Sequence, residues 1–109
     1  MDTLDEILYS IKTSKLSLIV GSAQNCTVCD AIEPEIHKLL TKFPNLNYKH
    51  ITVDSMKGAA GEFMIFAFPT IILFNNEKEI HRQGRFIDFK SLQFEIERWY
   101  EFLFSEGNC

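Results

Sequence analysis

Two short, continuous apolar runs constrain the fold of this chain more than any other feature. The runs LSLIVGS (16–22) and FPTIILF (68–74) have the length of strands, and neither leaves one face polar. A strand that is apolar on both faces has to be buried on both faces, as central strands of a sheet are. The sequence therefore predicts a sheet that is covered by helices on its two sides.

Amphipathic helical patterns around these runs supply the covering layers. Their apolar residues recur every three or four positions, which places them on one face of a helix. The predicted helices are a first one opened by the capping box TLDE (3–6), a second from about Cys26 to Lys42 with Pro34 inside it, a weaker third in SMKGAAGEFMIF (55–66), and a long final helix capped by Asp88.

Two further strands complete the predicted sheet. YKHITVD (48–54) alternates apolar and polar residues, and EIHRQ (79–83) directly follows the turn NNEK (75–78). A strand–helix–strand unit crosses over right-handed and makes parallel neighbours, whereas a short turn makes antiparallel ones. The order αβαβαββα therefore predicts a single α/β domain over residues 1–109, with a central four-stranded mixed sheet flanked by helices on both faces.

The charge balance and the lack of long apolar runs disfavour several classes of function. Lysine and arginine number 11 against 15 aspartate and glutamate residues, and the net charge of −4 disfavours binding to nucleic acid or to an anionic membrane surface. No run approaches the length of a membrane span, and the acidic start MDTLDEILYS lacks the pattern of a signal peptide. We therefore expect a cytoplasmic protein with no nucleic-acid or membrane partner.

The stretch AQNCTVCDAIEP (23–34) carries the chemistry, because it contains Cys26 and Cys29 with two residues between them. In a reducing compartment such a pair is more often catalytic or metal-binding than structural. If a helix begins near Asn25, its unpaired N–H groups and its dipole favour the thiolate of Cys26. Cys29 then lies on the same side of the helix, so we predict a reversible disulfide between the two that leaves Cys109 out.

Three acidic residues follow the cysteines: Asp30, Glu33 and Glu35. One interpretation is a solvated helix face, since negative charge is favourable in the N-terminal half of a helix. The other is that Asp30 and Glu33 oppose the helix dipole at the thiols and hold the pKa of Cys26 closer to neutral. The sequence leaves both interpretations open.

The same C-x-x-C spacing occurs in zinc sites, which need four ligands and usually draw them from a second pair. The remaining candidates are scattered along the chain, with no second pair among them: His37, His50, His81 and Cys109. We therefore predict no metal site within this chain.

Taken together, these features resemble the thioredoxin-like superfamily. Pro34 follows Cys26 by eight positions, as the family's helix-kink proline does, and ITVD (51–54) resembles its strand that ends in aspartate. FPTIILF resembles the cis-proline segment, and Gly84 resembles the glycine after the last strand. The resemblance covers about residues 16 to 104 and implies a small thioredoxin-like fold that lacks the first strand of full-length thioredoxins.

The resemblance also implies a function and its residues. The protein would be a thiol–disulfide oxidoreductase acting on protein or low-molecular-weight disulfides, with Cys26 as nucleophile and Cys29 as resolving thiol. Pro69 would be the cis-proline, and the backbone of Phe68 would pair with a substrate segment as an added strand. Phe66 and Phe68 are either core residues or an apolar docking rim. A monomer without an organic cofactor, served by an external thiol or flavoprotein reductant, is the expectation.

The chain departs from the family at several positions. Tryptophan before the first cysteine and Gly-Pro between the two are replaced by Asn25, Thr27 and Val28. The family's buried acid falls on Val20 and its partner lysine on His50, which is then either a proton carrier or an ordinary core or surface histidine. These departures keep a rival function open, a non-catalytic interaction module with this fold or a C-x-x-C metal-binding protein.

Overall fold

A four-stranded sheet between two layers of helices forms the structure, a computed structural model that describes residues 3–105. The strand order is β2-β1-β3-β4. In chain order the elements are α1 (Leu4–Thr13), β1 (Ser17–Ser22), α2 (Thr27–Lys42), β2 (Asn47–Thr52), α3 (Ala59–Phe63), β3 (Thr70–Asn75), β4 (Lys78–Gly84) and α4 (Phe89–Phe104).

The pairing of the strands confirms the predicted mixed sheet. β1 runs parallel to β2 and antiparallel to β3, and β3 runs antiparallel to β4. In this register Ser22 lies opposite Thr52, Gly21 lies opposite Thr70, and Thr70 lies opposite Gly84. The ends of β1, β2 and β4 and the beginning of β3 therefore meet at one edge of the sheet.

The two apolar runs are continuous because each side of the strand packs into a different core. On one side Leu18 and Val20 of β1 join Ile36 of α2 and Ile96 of α4. On the other side Ile19 packs in a second cluster with residues of α1 and α3. All six residues of β1 are buried, which is the burial that the sequence predicts.

Local signals at the helix ends are mostly confirmed. The Thr3–Glu6 capping box forms, with the Thr3 N–H donating to Glu6 Oε1 at 2.7 Å. Asp88 caps α4 through the N–H of Ser91 at 3.1 Å. Pro34 lies inside α2, which begins one residue later than predicted because Cys26 is its N-cap.

The predicted third helix is present but shorter than the sequence suggests, so only its predicted bounds of 55–66 are wrong. Gly58 and Met64 flank α3 with φ of +87° and +53°. A left-handed residue at each end cannot continue a right-handed helix. β2 likewise ends at Thr52 and not at Asp54, which lies in the following turn.

Substitution of alanine for glycine is expected to lower the free energy of unfolding at Gly21 and to raise it at Gly61. A Cβ on Gly21 would lie 2.7 Å from Cδ1 of Ile65, which is itself buried. A Cβ on Gly61, inside α3, would meet nothing within 4 Å. Gly21→Ala should lower the free energy of unfolding by about 1–3 kcal/mol through overpacking, and Gly61→Ala should raise it by about 0.5–1 kcal/mol.

Urea denaturation of both variants and the wild type measures this difference. Equal stability of Gly21→Ala and wild type would show that Ile65 moves aside without cost and that the contact between β1 and the segment before β3 is loosely packed.

Candidate active site

The cysteine pair lies at the edge of the sheet where three strands end and β3 begins. Four segments meet there, and we call this region the dithiol edge: 23–29 after β1, which includes the first turn of α2, 53–58 after β2, 65–69 before β3, and 85–88 after β4. Strand ends that share an edge bring together residues that are far apart in sequence. This is where a sheet of this kind places a reactive group next to its supporting loops.

Cys26 and Cys29 form a disulfide, with their Cα atoms 5.3 Å apart. The pairing predicted from the sequence is therefore confirmed, while Cys109 lies outside the described residues. Cys26 is partly exposed, whereas Cys29 is buried at 9% exposure. The two sulfurs thus differ in access, and Cys26 is the one open to an incoming substrate.

The start of α2 places a backbone donor on the accessible sulfur. Cys26 is the N-cap of this 16-residue helix, and the N–H of Cys29 donates to its Sγ at 3.2 Å. In the reduced protein the same N–H and the positive end of the helix dipole would stabilise a thiolate on Cys26. The arrangement predicted from the sequence, with the sulfur of Cys26 at the N-terminus of a helix, is therefore present.

The acids that follow the cysteines are exposed, and two of them have partners elsewhere: Glu35 lies 3.5 Å from Nζ of Lys38, and Glu33 has neighbours of its own. Glu33 lies 3.8 Å from Nε2 of His37. Burial, and to a lesser extent the charge of Glu33, raise the pKa of Tyr48 to about 12. Asp30 is exposed in the first turn of α2. It directly follows Cys29 and is the acid closest to the thiols in the sequence.

The end of β2 holds the segment that leads from β1 to Cys26. The N–H of Val53 donates to the Ser22 carbonyl at 2.9 Å. The N–H of Gln24 donates to Oδ2 of Asp54 at 2.5 Å. Between this anchor and Cys26 stands Asn25, whose φ of +58° is left-handed.

Val20 and His50, at the positions of the family's acid and lysine, are neighbours across β1 and β2. Val20 is buried in the core, and no carboxylate replaces it at this position. His50 is exposed, and its Nε2 lies 2.7 Å from Oγ of the buried Ser22. Of the two structural interpretations left open by the sequence, His50 is thus a surface histidine with a polar partner.

The Phe68–Pro69 peptide bond is cis, as the resemblance implies. Pro69 is buried, and Phe68 is partly buried against the core formed with α1 and α3. Phe66 is exposed over 80% of its surface, whereas Phe63 is a core residue. Of the two predicted rim residues, Phe66 therefore presents the larger apolar surface.

The segment after β4 reaches the same place, which the sequence analysis missed. The N–H of Arg85 donates to the Pro69 carbonyl at 2.7 Å, and Arg85 has a left-handed φ of +71°. The next residue, Phe86, is 82% exposed. An aromatic residue in a short loop between Gly84 and a helix cap is the sequence signal that could have found it.

The thioredoxin family model matches residues 3–97 of the chain. The chain belongs to the thioredoxin family. Among curated relatives, the thioredoxin-like protein YdfQ of Bacillus subtilis is 36% identical over 100 residues, covering 92% of this chain and 89% of its own. Thioredoxin H2 of Arabidopsis thaliana is 37% identical over 71 residues, which are 65% of this chain and 53% of that protein.

Solved thioredoxin structures have the same fold. Oxidised mitochondrial thioredoxin 3 from Saccharomyces cerevisiae superposes with a TM-score of 0.78 at 24% identity, over 90% of this chain and 92% of that one. A mutant thioredoxin from Halobacterium salinarum gives a TM-score of 0.82 at 21% identity, over 93% and 88% of the two chains. The family and the Cys26–Cys29 disulfide identify this thioredoxin as a thiol–disulfide oxidoreductase.

Two further properties of this thioredoxin hold for residues 3–105. Within them there is no group of three or more His, Cys, Asp or Glu residues that could hold a metal ion. In the same range none of the helices has the length and apolar character needed to cross a membrane.

The acids near the thiols give a testable difference in the pKa of Cys26. If Asp30 and Glu33 act on the thiol, Asp30→Asn with Glu33→Gln should lower the pKa of Cys26, because a negative charge disfavours a nearby thiolate. The reduction potential should become more oxidising, since the reduced form gains stability. Iodoacetamide alkylation as a function of pH and redox titration measure the two quantities.

Glu35→Gln is the matched control, because Glu35 is an exposed acid of the same helix that pairs with Lys38 at 3.5 Å. The single variant Asp30→Asn should account for most of the shift, since Glu33 lies beside His37. No change in the double variant would assign the acids to the solvated face only.

Proposed function

We propose that this thioredoxin reduces, or exchanges with, disulfides of protein substrates, with Cys26 as nucleophile and Cys29 as resolving thiol. The observation that carries the proposal is the asymmetry of the pair. Cys26 is accessible and has a backbone N–H on its sulfur, whereas Cys29 is buried within bonding distance of it. Reduction of a disulfide by a dithiol needs one thiol that attacks the substrate and a second thiol, within bonding distance of the first, that resolves the mixed disulfide.

The proposed cycle balances as two exchanges. The Cys26 thiolate attacks one sulfur of the substrate disulfide, the substrate S–S bond breaks, and the departing thiolate takes up a proton. Cys29 then loses its proton and attacks Sγ of Cys26, which releases the second substrate thiol. The substrate gains two electrons and two protons, the protein becomes the Cys26–Cys29 disulfide, and an external dithiol or a flavoprotein reductant restores it.

The balance of charges at the thiol favours a reductant or general exchanger over a strong oxidant. A strong oxidant needs a reduced form that is unusually stabilised, with a Cys thiolate of very low pKa. A helix start lowers the pKa of a cysteine at that position from the value of about 8.5 of a free cysteine, and Cys26 is the N-cap of α2. Between Lys15 and Lys38 the sequence supplies no Lys or Arg, and the charge nearest to Cys26 along the chain, Asp30, would oppose the effect of the helix.

The residues around the cis-proline form the proposed platform for a protein substrate. The backbone of Phe68 would pair with an extended segment beside the substrate disulfide. The exposed rings of Phe66 and Phe86 come from two segments of the dithiol edge, joined at Pro69 by the hydrogen bond of Arg85. Apolar surface beside a reactive group is typical of a site that binds a macromolecule.

His50 remains a proposed proton carrier, and the supporting observation is its contact with the buried Ser22 at 2.7 Å. Ser22 shares with Val20 the α2 side of β1, since alternate residues of a strand point to the same side. A hydroxyl both donates and accepts, so it can pass a proton between groups on either side.

The proposed function also includes a cytoplasmic location and a monomeric state for this protein.

Single cysteine variants test the assignment of roles. With dithiothreitol as electron donor, the wild type should accelerate insulin reduction, and Cys26→Ser should abolish the acceleration. Cys29→Ser should trap a mixed disulfide between Cys26 and the substrate, because the resolving thiol is missing. Mass spectrometry of the non-reduced products identifies the linked cysteine.

The result that overturns the roles is a trapped species on Cys29 in the Cys26→Ser variant, or one linked through Cys109. An inactive wild type whose dithiol does not turn over would favour the interaction module as the function.

If the exposed rings bind protein substrates, their removal should lower kcat/KM for a protein disulfide and not for a small one. Phe66→Ser combined with Phe86→Ser should lower kcat/KM for insulin roughly 10-fold, because each exposed ring contributes on the order of 1 kcal/mol when it is covered. The rate with the small neutral bis(2-hydroxyethyl) disulfide should stay within about twofold. Phe102→Ser is the control, since Phe102 is 76% exposed on α4, away from the dithiol edge.

Equal losses with both substrates would mean that the two rings support the geometry of the dithiol and not a docking surface. An unchanged rate with insulin would remove Phe66 and Phe86 from the proposal.

A further inference from the structure

We propose that Asp54 is a positioning residue for Cys26, acting through the backbone of Gln24. Its carboxylate holds the chain just before the nucleophile, so that the sulfur of Cys26 stays at the N-terminus of α2. This inference rests on the proposed function, since it concerns the same thiol. It assigns a role to the aspartate that ends ITVD (51–54), which the reaction scheme above leaves unused.

The contact that carries the inference joins residues 30 positions apart. The N–H of Gln24 donates to Oδ2 of Asp54 at 2.5 Å. A hydrogen bond to a carboxylate is shorter and stronger than one between neutral groups. The strand pairing of β1 and β2 ends at Ser22 opposite Thr52, so the Gln24 N–H lies beyond the strand ladder and donates to the carboxylate instead of to a strand carbonyl.

The anchor sits close to the nucleophile in the chain. Between Gln24 and Cys26 there is only Asn25, whose left-handed φ of +58° turns the chain into the helix. Asparagine tolerates this conformation better than most residues, yet it remains less favourable than the right-handed one. Without the anchor at Gln24, the turn at Asn25 is free to relax, and Cys26 moves with it.

A movement of Cys26 would remove its contact with the helix start. The Sγ of Cys26 accepts from the N–H of Cys29 at 3.2 Å, so the sulfur is held where the helix presents its first free donors. A displacement of about 1 Å at a reacting group can cost up to about 100-fold in rate. The pKa of Cys26 should then rise toward that of a free cysteine, because the thiolate loses its donor.

An effect of the Asp54 charge has the opposite sign and can therefore be separated. The charged and titratable groups in the dithiol edge or directly beside it are Asp30 on α2, His50 on β2, Asp54 and Lys57 after β2, and Arg85 and Asp88 after β4. A negative charge disfavours a thiolate, so loss of the Asp54 charge alone would lower the pKa of Cys26. Loss of the anchor raises it.

The experiment compares three substitutions at Asp54 with a neighbouring control. Asp54→Ala removes both acceptor and charge, and Asp54→Asn keeps an acceptor oxygen without the charge. Asp54→Glu keeps the charge but moves the carboxylate by one methylene. Ser55→Ala is the control, because the Ser55 hydroxyl donates within its own turn, to the Thr52 carbonyl at 3.1 Å.

Two readouts are measured on the full chain. One is kcat/KM for bis(2-hydroxyethyl) disulfide, a probe too small to need the aromatic platform. The other is the pH dependence of Cys26 alkylation by iodoacetamide in the reduced protein, which needs no turnover. Thermal unfolding of each variant verifies that it is folded.

We expect Asp54→Ala and Asp54→Glu to lower kcat/KM about 10-fold and to raise the pKa of Cys26. Asp54→Asn should stay within about threefold of the wild type without a rise in that pKa, and Ser55→Ala should match the wild type. If Asp54→Ala does not fold, the contrast between Asp54→Glu and Asp54→Asn carries the same test.

Three results overturn the inference: Asp54→Ala within twofold of the wild type with an unchanged pH profile, Asp54→Asn as impaired as Asp54→Ala, or Asp54→Ala with a lowered pKa of Cys26. A wild type that reduces no disulfide would overturn the proposed function, and the alkylation profile would still decide the role of Asp54.

Discussion

Burial of β1 on both faces is the constraint on which the rest of the structure depends. A strand with no solvated face has to lie between other strands and between two helical layers. Its neighbours β2 and β3 are therefore fixed, and with them the edge at which β1 ends. The first point at which the chain can leave this burial is after Ser22, and the route from there leads directly to Cys26. The position of the dithiol is thus a consequence of the position of the central strand.

A backbone group contributes directly to the electrostatics of the site. The Sγ of Cys26 has a backbone N–H as its donor. Its charged neighbours in sequence are acids, with no Lys or Arg between Lys15 and Lys38. A thiolate that depends on backbone donors is sensitive to where the chain runs, since the helix field falls off within one turn. Contacts that hold the segment before Cys26, such as that of Asp54 with the Gln24 N–H, are therefore expected to affect the thiolate through the position of the sulfur.

Much of the fold could be predicted because its signals are local. The capping box at Thr3, the cap at Asp88 and the apolar runs each act within a few residues. The length of α3 could not be predicted from helical periodicity, because left-handed residues set its two ends. One of them is Met64, and methionine is not a residue type that indicates a left-handed conformation. The contact between Asp54 and Gln24 could not be predicted either, because the two residues are 30 positions apart and are brought together only by the pairing of β1 with β2.

The departure from the family signature between the cysteines changes the helix start in a definite direction. Thr27 and Val28 are the first two residues of α2, where N–H groups have no partner within the helix. A proline at the position of Val28 would have no N–H, so the valine adds a donor to the turn that faces Cys26. This addition favours the thiolate, whereas Asp30, two residues further on, disfavours it. The valine N–H and the charge of Asp30 therefore act in opposite directions on the stability of the thiolate, and the pKa of Cys26 depends on the balance between them.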